Sequence, residues 1–325
     1  MNNSLFKQVY VKDLKEGDRV AGQPFVIKSL KRATSKSNKQ YIDLELGDKT
    51  GSIKGKIWSD NIPNCAEAKL GDVVYVSGNI DSYSTNLQFI ITTMLPCDSY
   101  DIGDYLEVAK EDREKMFKEI KSFISQITDQ DFLGLLENLF EDKEFVELFK
   151  KAPAAWTIHH SYVGGLLEHV LDCLQISDSL LRRYPKIRKD ILFTGAILHD
   201  IGKVFELNVD TTITHSNRGK LLGHIYIGCE YLTQKAPQGF PKDKLDELLH
   251  MILSHHGEIE FGSPIRPKTI EAVALWMADY SSFKVNMAYN FIYDSIDNDD
   301  QSFTGYHRYL STDMFLEPYQ DAKNE

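Results

Sequence analysis

The stretch AILHDIGK, Ala196 to Lys203, sets a His and an Asp side by side among residues that read as core, Ile197, Leu198 and Ile201. Burying an imidazole next to a carboxylate is costly unless something pairs with both. Either the two satisfy each other or a cation lies against them. The surrounding chain repeats the pattern. Most of its ten histidines fall between 159 and 256. His169 sits in GGLLEHV, His199 and Asp200 in ILHDIGK, His224 in LLGHIYIG, His255 and His256 in LSHHGE, and Asp279 in WMADY. Each is a polar residue in an otherwise apolar, helix-periodic segment. So many buried donors and acceptors satisfied one by one would make an odd core, whereas a shared cation satisfies them together.

Helix geometry sharpens this reading. His199 and Lys203 are four apart and are expected on one face, while His199 and Asp200 point roughly 100° apart. An ion over the edge between them could take both, and the second carboxylate oxygen could reach a further ion. In LDELLHMILSHH an apolar stripe through Leu245, Leu249 and Ile252 runs into His256. Nitrogen and oxygen ligands with no nearby thiolate suit Mn²⁺, Fe²⁺, Co²⁺ or Zn²⁺ better than Mg²⁺.

The rest of the chain frames this cluster. Its 325 residues, 42% hydrophobic and 26% charged, are enough for two or three ordinary globular domains. No apolar run approaches the ~18 residues of a membrane span. The opening MNNSLFKQVYVKDL lacks the basic-then-apolar pattern of a signal peptide. Cys65, Cys97, Cys173 and Cys229 are scattered without a C-x-x-C pair, which fits reduced thiols in a cytoplasmic protein. The net charge of -11 is uneven: residues 1–100 hold 13 Lys+Arg against 11 Asp+Glu, a net of +2, so the remainder carries -13.

Residues 18–95 read as five short strands, DRVAGQPFVIKSL, QYIDLELGD, GSIKGKIW, DVVYVSGNID and LQFIITTML, split by turn signals. That spacing predicts a five-stranded barrel of the oligonucleotide-binding (OB) type, with a short helix near 60–70. A basic loop is expected at Lys28, Lys31, Arg32, Lys36 and Lys39, with Tyr41, Trp58, Tyr75, Tyr83 and Phe89 on or beside the strands. Such barrels hold single strands by phosphate contact and base stacking, and Lys31, Arg32, Lys36, Tyr41 and Trp58 are the candidates for that role. A solvated loop over an aromatic core is the plainer alternative. From about 105 the period changes to helix, in REKMFKEIKSFISQI and FLGLLENLFEDKEFVELFKKA, and helices continue through 155–290. The expected fold is multidomain α+β: a barrel domain over 1–100, a helical connector over 101–153, an all-α domain over 154–293 and an acidic, aromatic-rich arm over 294–325.

The order H…HD…H…HH…D resembles the HD-domain superfamily of metal-dependent phosphohydrolases. The words HHSYVGGLLEHV, LHDIGK, LLGHI and SHHGEIEFGSPIRP are similar to those of the YhaM-type 3′-to-5′ exoribonucleases, which also carry an OB-type domain before the HD domain. The resemblance spans nearly the whole chain. It implies that His169, His199, Asp200 and Asp279 are the metal-binding residues shared by most HD domains. It further implies that His224, His255 and His256 are the additional histidines of two-metal members, and that Lys203 faces the phosphate. It also implies manganese dependence and degradation of RNA, often with single-stranded DNA, from the 3′ end. HD domains that cleave cyclic dinucleotides carry Gly-Tyr-Pro after the double histidine, where this chain has Gly262-Ser263-Pro264.

The resulting expectation is hydrolysis of single-stranded RNA to nucleoside monophosphates by metal-activated water, with one or two ions, Asp200 and Lys203 at the chemistry, and no Ser or Cys nucleophile. His160, His215 and Arg218 are further candidates for touching the substrate. The alternatives are an HD-type nucleotide or cyclic-nucleotide phosphohydrolase, and a non-catalytic nucleic-acid-binding protein that keeps its metal for structure. A homo-oligomer is compatible with the sequence, and no membrane partner is expected.

Overall fold

A computed structural model of the chain describes residues 7–35, 37–83, 86–156, 161–296 and 302–319. It divides into two compact units, residues 1–108 with 208–214, and residues 109–207 with 215–325.

The first unit is a closed barrel of β1 (Arg19–Thr34), β2 (Gln40–Asp48), β3 (Gly51–Ile57), β4 (Val73–Tyr83) and β5 (Asn86–Pro96). Round the barrel the order is β1-β2-β3-β5-β4, with β3 and β5 parallel and the other pairs antiparallel. The period-two pattern of β2 sends Ile42, Leu44 and Leu46 inward, where they meet Phe25, Ile27, Ile53, Ile57, Val76, Phe89 and Ile91 in one core. β1 closes the barrel because its first half pairs with β4 and its second half with β2, with register shifts near Val20 and Ile27. The expected five strands are all present, but the basic loop is not a loop. β1 continues through Lys28, Lys31 and Arg32 to Thr34, which leaves only a short turn before β2. A single 3-10 turn, Ile62–Asn64, stands where a short helix is expected.

The second unit is helical: α1 (Arg113–Ile124), α2 (Gln130–Phe140), α3 (Lys143–Lys151), α4 (Gly165–Arg183), α5 (Lys189–Leu198), α6 (Lys203–Glu206), α7 (Asn217–Lys235), α8 (Lys242–Ser254) and α9 (Ile270–Ser295). Asp112, Asp129 and Asp142 cap α1, α2 and α3 by accepting from backbone N–H groups of the first turn. α5 is the central element: Ile191 to Leu198 are all buried, and α4, α8 and α9 pack around it in one core shared with α1–α3. The helical run is interrupted by a small hairpin, β6 (Leu207–Val209) and β7 (Ile213–His215), which the helical period does not announce. The stretch 302–319 packs back on α9: Leu316 is buried with Ile292 and Ile296, and the His307 ring lies 4.5 Å from that of Phe291. Among the described residues no helix is long and apolar enough to cross a membrane.

Candidate metal centre

Seven residues far apart in sequence meet in the second unit. α4 carries His169 on its buried face, and α9 brings Asp279 to within 3.1 Å of its Nε2. α5 ends at Leu198, so His199, Asp200, Ile201 and Gly202 form a turn rather than a continuous helix. That turn presses on α7: a Cβ on Gly202 would stand 1.9 Å from the carbonyl oxygen of His224. The expectation that Lys203 shares a helix face with His199 is therefore corrected. Lys203 opens α6 and turns back, its Nζ 2.5 Å from Asp200 Oδ2.

His224 is aimed by a break in its own helix. Gly223 adopts φ 71° and ψ 157°, outside the helical region, so the chain re-enters α7 at His224 in a new direction. Glu206 fixes the result, accepting from the His224 backbone N–H at 3.1 Å through Oε1 and facing its Nδ1 at 3.3 Å through Oε2. The histidine doublet follows α8. Its buried stripe runs through Leu248, Met251 and Ile252 into His255, not through Leu245 and Leu249 into His256 as the sequence suggests. His256 still joins the cluster, its ring centroid 4.2 Å from that of His255 and 5.4 Å from that of His224.

The protons on these rings can be assigned from their outer partners. His199 Nδ1 donates to the Ala196 carbonyl at 3.0 Å, and His255 Nδ1 to that of Ile252 at 2.6 Å. Ser282 donates its hydroxyl to Asp172 at 2.9 Å, so it accepts from His169 Nδ1 at 3.0 Å. His224 Nδ1 faces the Glu206 carboxylate. All four rings thus commit Nδ1 as the donor and present a bare Nε2 inward, the arrangement in which imidazoles bind metals.

Those lone pairs converge on carboxylate oxygens. His169 and His199 Nε2 lie 3.1 Å apart, each 3.5 Å from Asp200 Oδ2. His224 and His255 Nε2 stand 3.4 and 3.5 Å from Asp200 Oδ1. Acceptors facing acceptors at such distances repel unless a cation lies between them. Among the described residues Asp200 Oδ1, His224 Nε2, His255 Nε2 and His256 Nδ1 are buried with no hydrogen-bond partner, the state expected of atoms that face a cation.

The potential suits a cation as well. Burial pushes His199 and His256 down to about 3, keeping both rings neutral. Burial would raise Asp200, but the Lys203 ammonium more than offsets it and holds the carboxyl well below its ordinary range.

The donors fall into two groups, His169, Cys173, His199 and Asp279 in one, and His224, His255 and His256 in the other. Asp200 stands between them with one oxygen toward each. The first group includes a neighbouring thiol but no thiolate. Cys173 lies one helical turn after His169, its Sγ 3.8 Å from His169 Nε2, and burial pushes that thiol well up, leaving it protonated.

The other candidates lie elsewhere. His215 ends β7 with its ring 5.1 Å from that of Trp156, and Arg218, in the first turn of α7 rather than in a loop, pairs with Glu230. On the barrel Lys31 lies opposite Asp43, and Arg32 pairs with Glu67 at 3.1 Å. Tyr41 and Trp58 sit 5.9 Å apart, with Lys56 Nζ 4.8 Å from both ring centres, and Trp58 is 45% exposed. Phe89 is core, whereas Tyr75 packs beside Val26 and Val73. His160 and Lys36 lie outside the described residues. Glu206, Ser282 and Asp172, which orient the imidazoles of His224 and His169, escape sequence reading because nothing marks them apart from ordinary polar residues.

Comparison with known proteins agrees with this anatomy. Residues 166–283 match the HD domain family, and residues 26–96 match a family of OB-fold nucleic acid binding domains. Curated relatives named 3′-5′ exoribonuclease YhaM match along most of their length. The Geobacillus sp. (strain WCH70) protein is 33% identical over 81% of this chain and 82% of its own. The Shouchella clausii protein is 34% identical over 83% and 85%. That of Listeria monocytogenes (strain EGD-e) is 31% identical over 81% and 84%. With the barrel, the His–Asp cluster and this similarity in agreement, the chain belongs to the YhaM family of 3′-5′ exoribonucleases.

Proposed function

We propose that this protein is a metal-dependent 3′-to-5′ exoribonuclease that shortens single-stranded RNA, with single-stranded DNA as a secondary substrate, releasing nucleoside monophosphates. The observation that carries this reading is the convergence of unprotonated imidazole nitrogens on both oxygens of the buried Asp200. His169, His199 and Asp279 would hold one divalent ion, His224, His255 and His256 a second, and Asp200 would bridge them. Nitrogen and oxygen donors suit Mn²⁺, Fe²⁺, Co²⁺ or Zn²⁺, and the family resemblance makes Mn²⁺ the first choice among them. Such ions, when bound, lower the pKa of a coordinated water and neutralise charge on the phosphate.

The chain's own residues do the rest. Glu206 and the Ser282–Asp172 pair keep Nδ1 of His224 and His169 protonated, so that Nε2 stays free. Lys203 holds its ammonium group beside Asp200 and lines the adjoining cleft, where it would meet a non-bridging phosphate oxygen. Hydrolysis adds the water oxygen to phosphorus and breaks the bond to the 3′ oxygen of the penultimate nucleotide, which leaves with a proton.

Residues 1–100 would supply the strand-binding module, through Trp58 and Tyr41 for stacking and Lys31 and Arg32 for phosphates, with the catalytic domain over 154–293. Tethering raises the local concentration of a polyanion near an acidic domain that otherwise repels it. His160, His215 and Arg218 remain candidates for substrate contact, as does Lys36. Four free cysteines suit a cytoplasmic setting, and homo-oligomers are compatible with the reading. A 5′-labelled single-stranded RNA, incubated with Mn²⁺ and then with EDTA, tests the proposal on a sequencing gel. A ladder receding from the 3′ end only with metal supports it, and intact RNA in both lanes overturns it.

A further inference from the structure

Beside the cluster lies a cleft of about 390 Å³, at the small end of the range for ligand pockets of ~300–1,000 Å³. Lys203, His256 and Asp279 line it on the side of the cluster, and Phe261, Trp276 and Tyr280 contribute its aromatic wall. Phe261 and Tyr280 present nearly parallel rings, 15° apart in plane with centroids separated by 6.4 Å. Both are left in water, Phe261 at 58% exposure and Tyr280 at 38%. Neighbouring exposed apolar rings at the mouth of a cleft mark a surface that something covers. Trp276 lines the same cleft, its indole packed against Gly257. Lys284 adds positive charge, its Nζ 5.6 Å from the centre of the Tyr280 ring.

We infer that this cleft seats the base of the 3′-terminal nucleotide, stacked on Phe261 and Tyr280, while the scissile phosphate lies at the His–Asp cluster. The inference rests on the exonuclease reading and says what that site grips. Continuity fixes the occupant: three residues face both the cluster and the cleft, so a group one nucleotide from the reacting phosphorus is the group that enters. The volume suits one nucleoside rather than a length of strand. Ring faces accept any base, because every base has a stacking surface, so the grip carries little sequence preference.

The test compares two 5′-labelled RNAs that differ only in the last residue, an adenosine or an abasic ribose, each with Mn²⁺. The wild-type protein is expected to remove the abasic residue about tenfold more slowly in kcat/KM, the equivalent of one stacking contact. In Phe261→Ala and Tyr280→Ala that ratio should fall toward one, and Tyr280→Phe should keep it. Both rings are solvent-exposed, so the alanine variants are expected to fold. A second readout needs no turnover: with metal-free protein, 2-aminopurine at the 3′ end should be quenched on binding to wild type and less so with Tyr280→Ala. Normal 3′ shortening with a wild-type ratio near one, or a ratio intact in both alanine variants, overturns the cleft assignment and leaves the exonuclease standing. Absence of any 3′ shortening by wild type overturns both.

Discussion

Replacing Glu206 by Gln asks whether the second group of donors is built for an ion of its own. Glu206 touches His224 twice, accepting from its backbone N–H at 3.1 Å and facing its Nδ1 at 3.3 Å. Burial opposes the charge on this carboxylate, and its hydrogen bonds with His224, with the charge of Lys203, hold it ionised all the same. Glutamine preserves volume and one acceptor. With its oxygen kept on the backbone N–H, it turns an NH₂ toward Nδ1–H, donor against donor. The imidazole then rotates or moves its proton to Nε2, the atom that should face the metal. Loss of such an outer partner typically costs about 10- to 100-fold in metal affinity, or about 1.4–2.8 kcal/mol. The loss should be confined to the ion held by His224, His255 and His256, because the Glu206 carboxylate reaches the cluster through His224. Calorimetric titration of the metal-free protein with Mn²⁺ reads both affinities. One should be unchanged and the other weakened by one to two orders of magnitude, and RNA hydrolysis should recover as Mn²⁺ is raised. Two equally weakened sites, two unaltered ones, or a single Mn²⁺ in wild type would refute the argument.

Three further outcomes follow from other parts of the molecule. Restoring Mn²⁺ to EDTA-treated protein should raise Tm by about 5–10 °C per ion at 100 times its Kd, since that occupancy adds about 2.7 kcal/mol. Scanning calorimetry checks this, and no shift would mean that the orphaned nitrogens are satisfied some other way. On the barrel, Trp58→Ala should weaken single-stranded RNA binding about tenfold with the salt dependence intact, whereas Lys31→Ala should flatten the salt slope by about one phosphate contact. Anisotropy titrations over a KCl series separate the two, and a slope change with Trp58→Ala would contradict stacking. In the helical unit Arg188 grips the buried Glu271 at 3.1 and 3.0 Å, and its backbone N–H donates to the same carboxylate. Burial opposes that charge, but Arg188 holds Glu271 below its ordinary value. Because the folded pKa is depressed, the stabilisation is present above the unfolded value of about 4.3 and is lost as pH falls through the folded one. Arg188→Ala should cost about 2 kcal/mol at pH 7, discounted for the half-exposed guanidinium. Urea unfolding should show that gap closing below pH 4, and a gap independent of pH would remove the ionic explanation.

The contrast between the legible and the hidden residues has a physical cause. His169, His199, Asp200, His224, His255, His256 and Asp279 stand out in the sequence because each violates the apolar periodicity around it, and burial makes such violations expensive. Glu206, Ser282 and Asp172 violate nothing. Their meaning depends on which ring they face, and that depends on the turn at Gly202 and the break at Gly223. Cys173 hides for the opposite reason: it passes as one more apolar residue on α4, although its place four after His169 puts it on the same face. The extension of β1 through Lys28, Lys31 and Arg32 is invisible to alternation because the basic positions sit on a surface that faces outward. The hairpin Leu207–Val209 and Ile213–His215 is too short for a period to register.

The histidine doublet shows how a sequence pattern can mislead about a detail and still identify a site. Two helical stripes are available in α8, Leu245, Leu249, Ile252 and His256, or Leu248, Met251, Ile252 and His255, and each ends on an imidazole. Periodicity cannot choose between them; the packing of α8 against α5 and α9 does, and it buries the second. A helix continued through both residues would point them about 100° apart and send one ring away from the cluster. α8 instead stops at Ser254, and Gly257 follows the doublet with φ 77°, so the two rings meet edge to face at 4.2 Å. The end of the helix, rather than its face, is what lets adjacent histidines serve one site. The same device operates at His199 and Asp200, where α5 stops at Leu198 and the turn that follows gives the second group of donors its shared carboxylate.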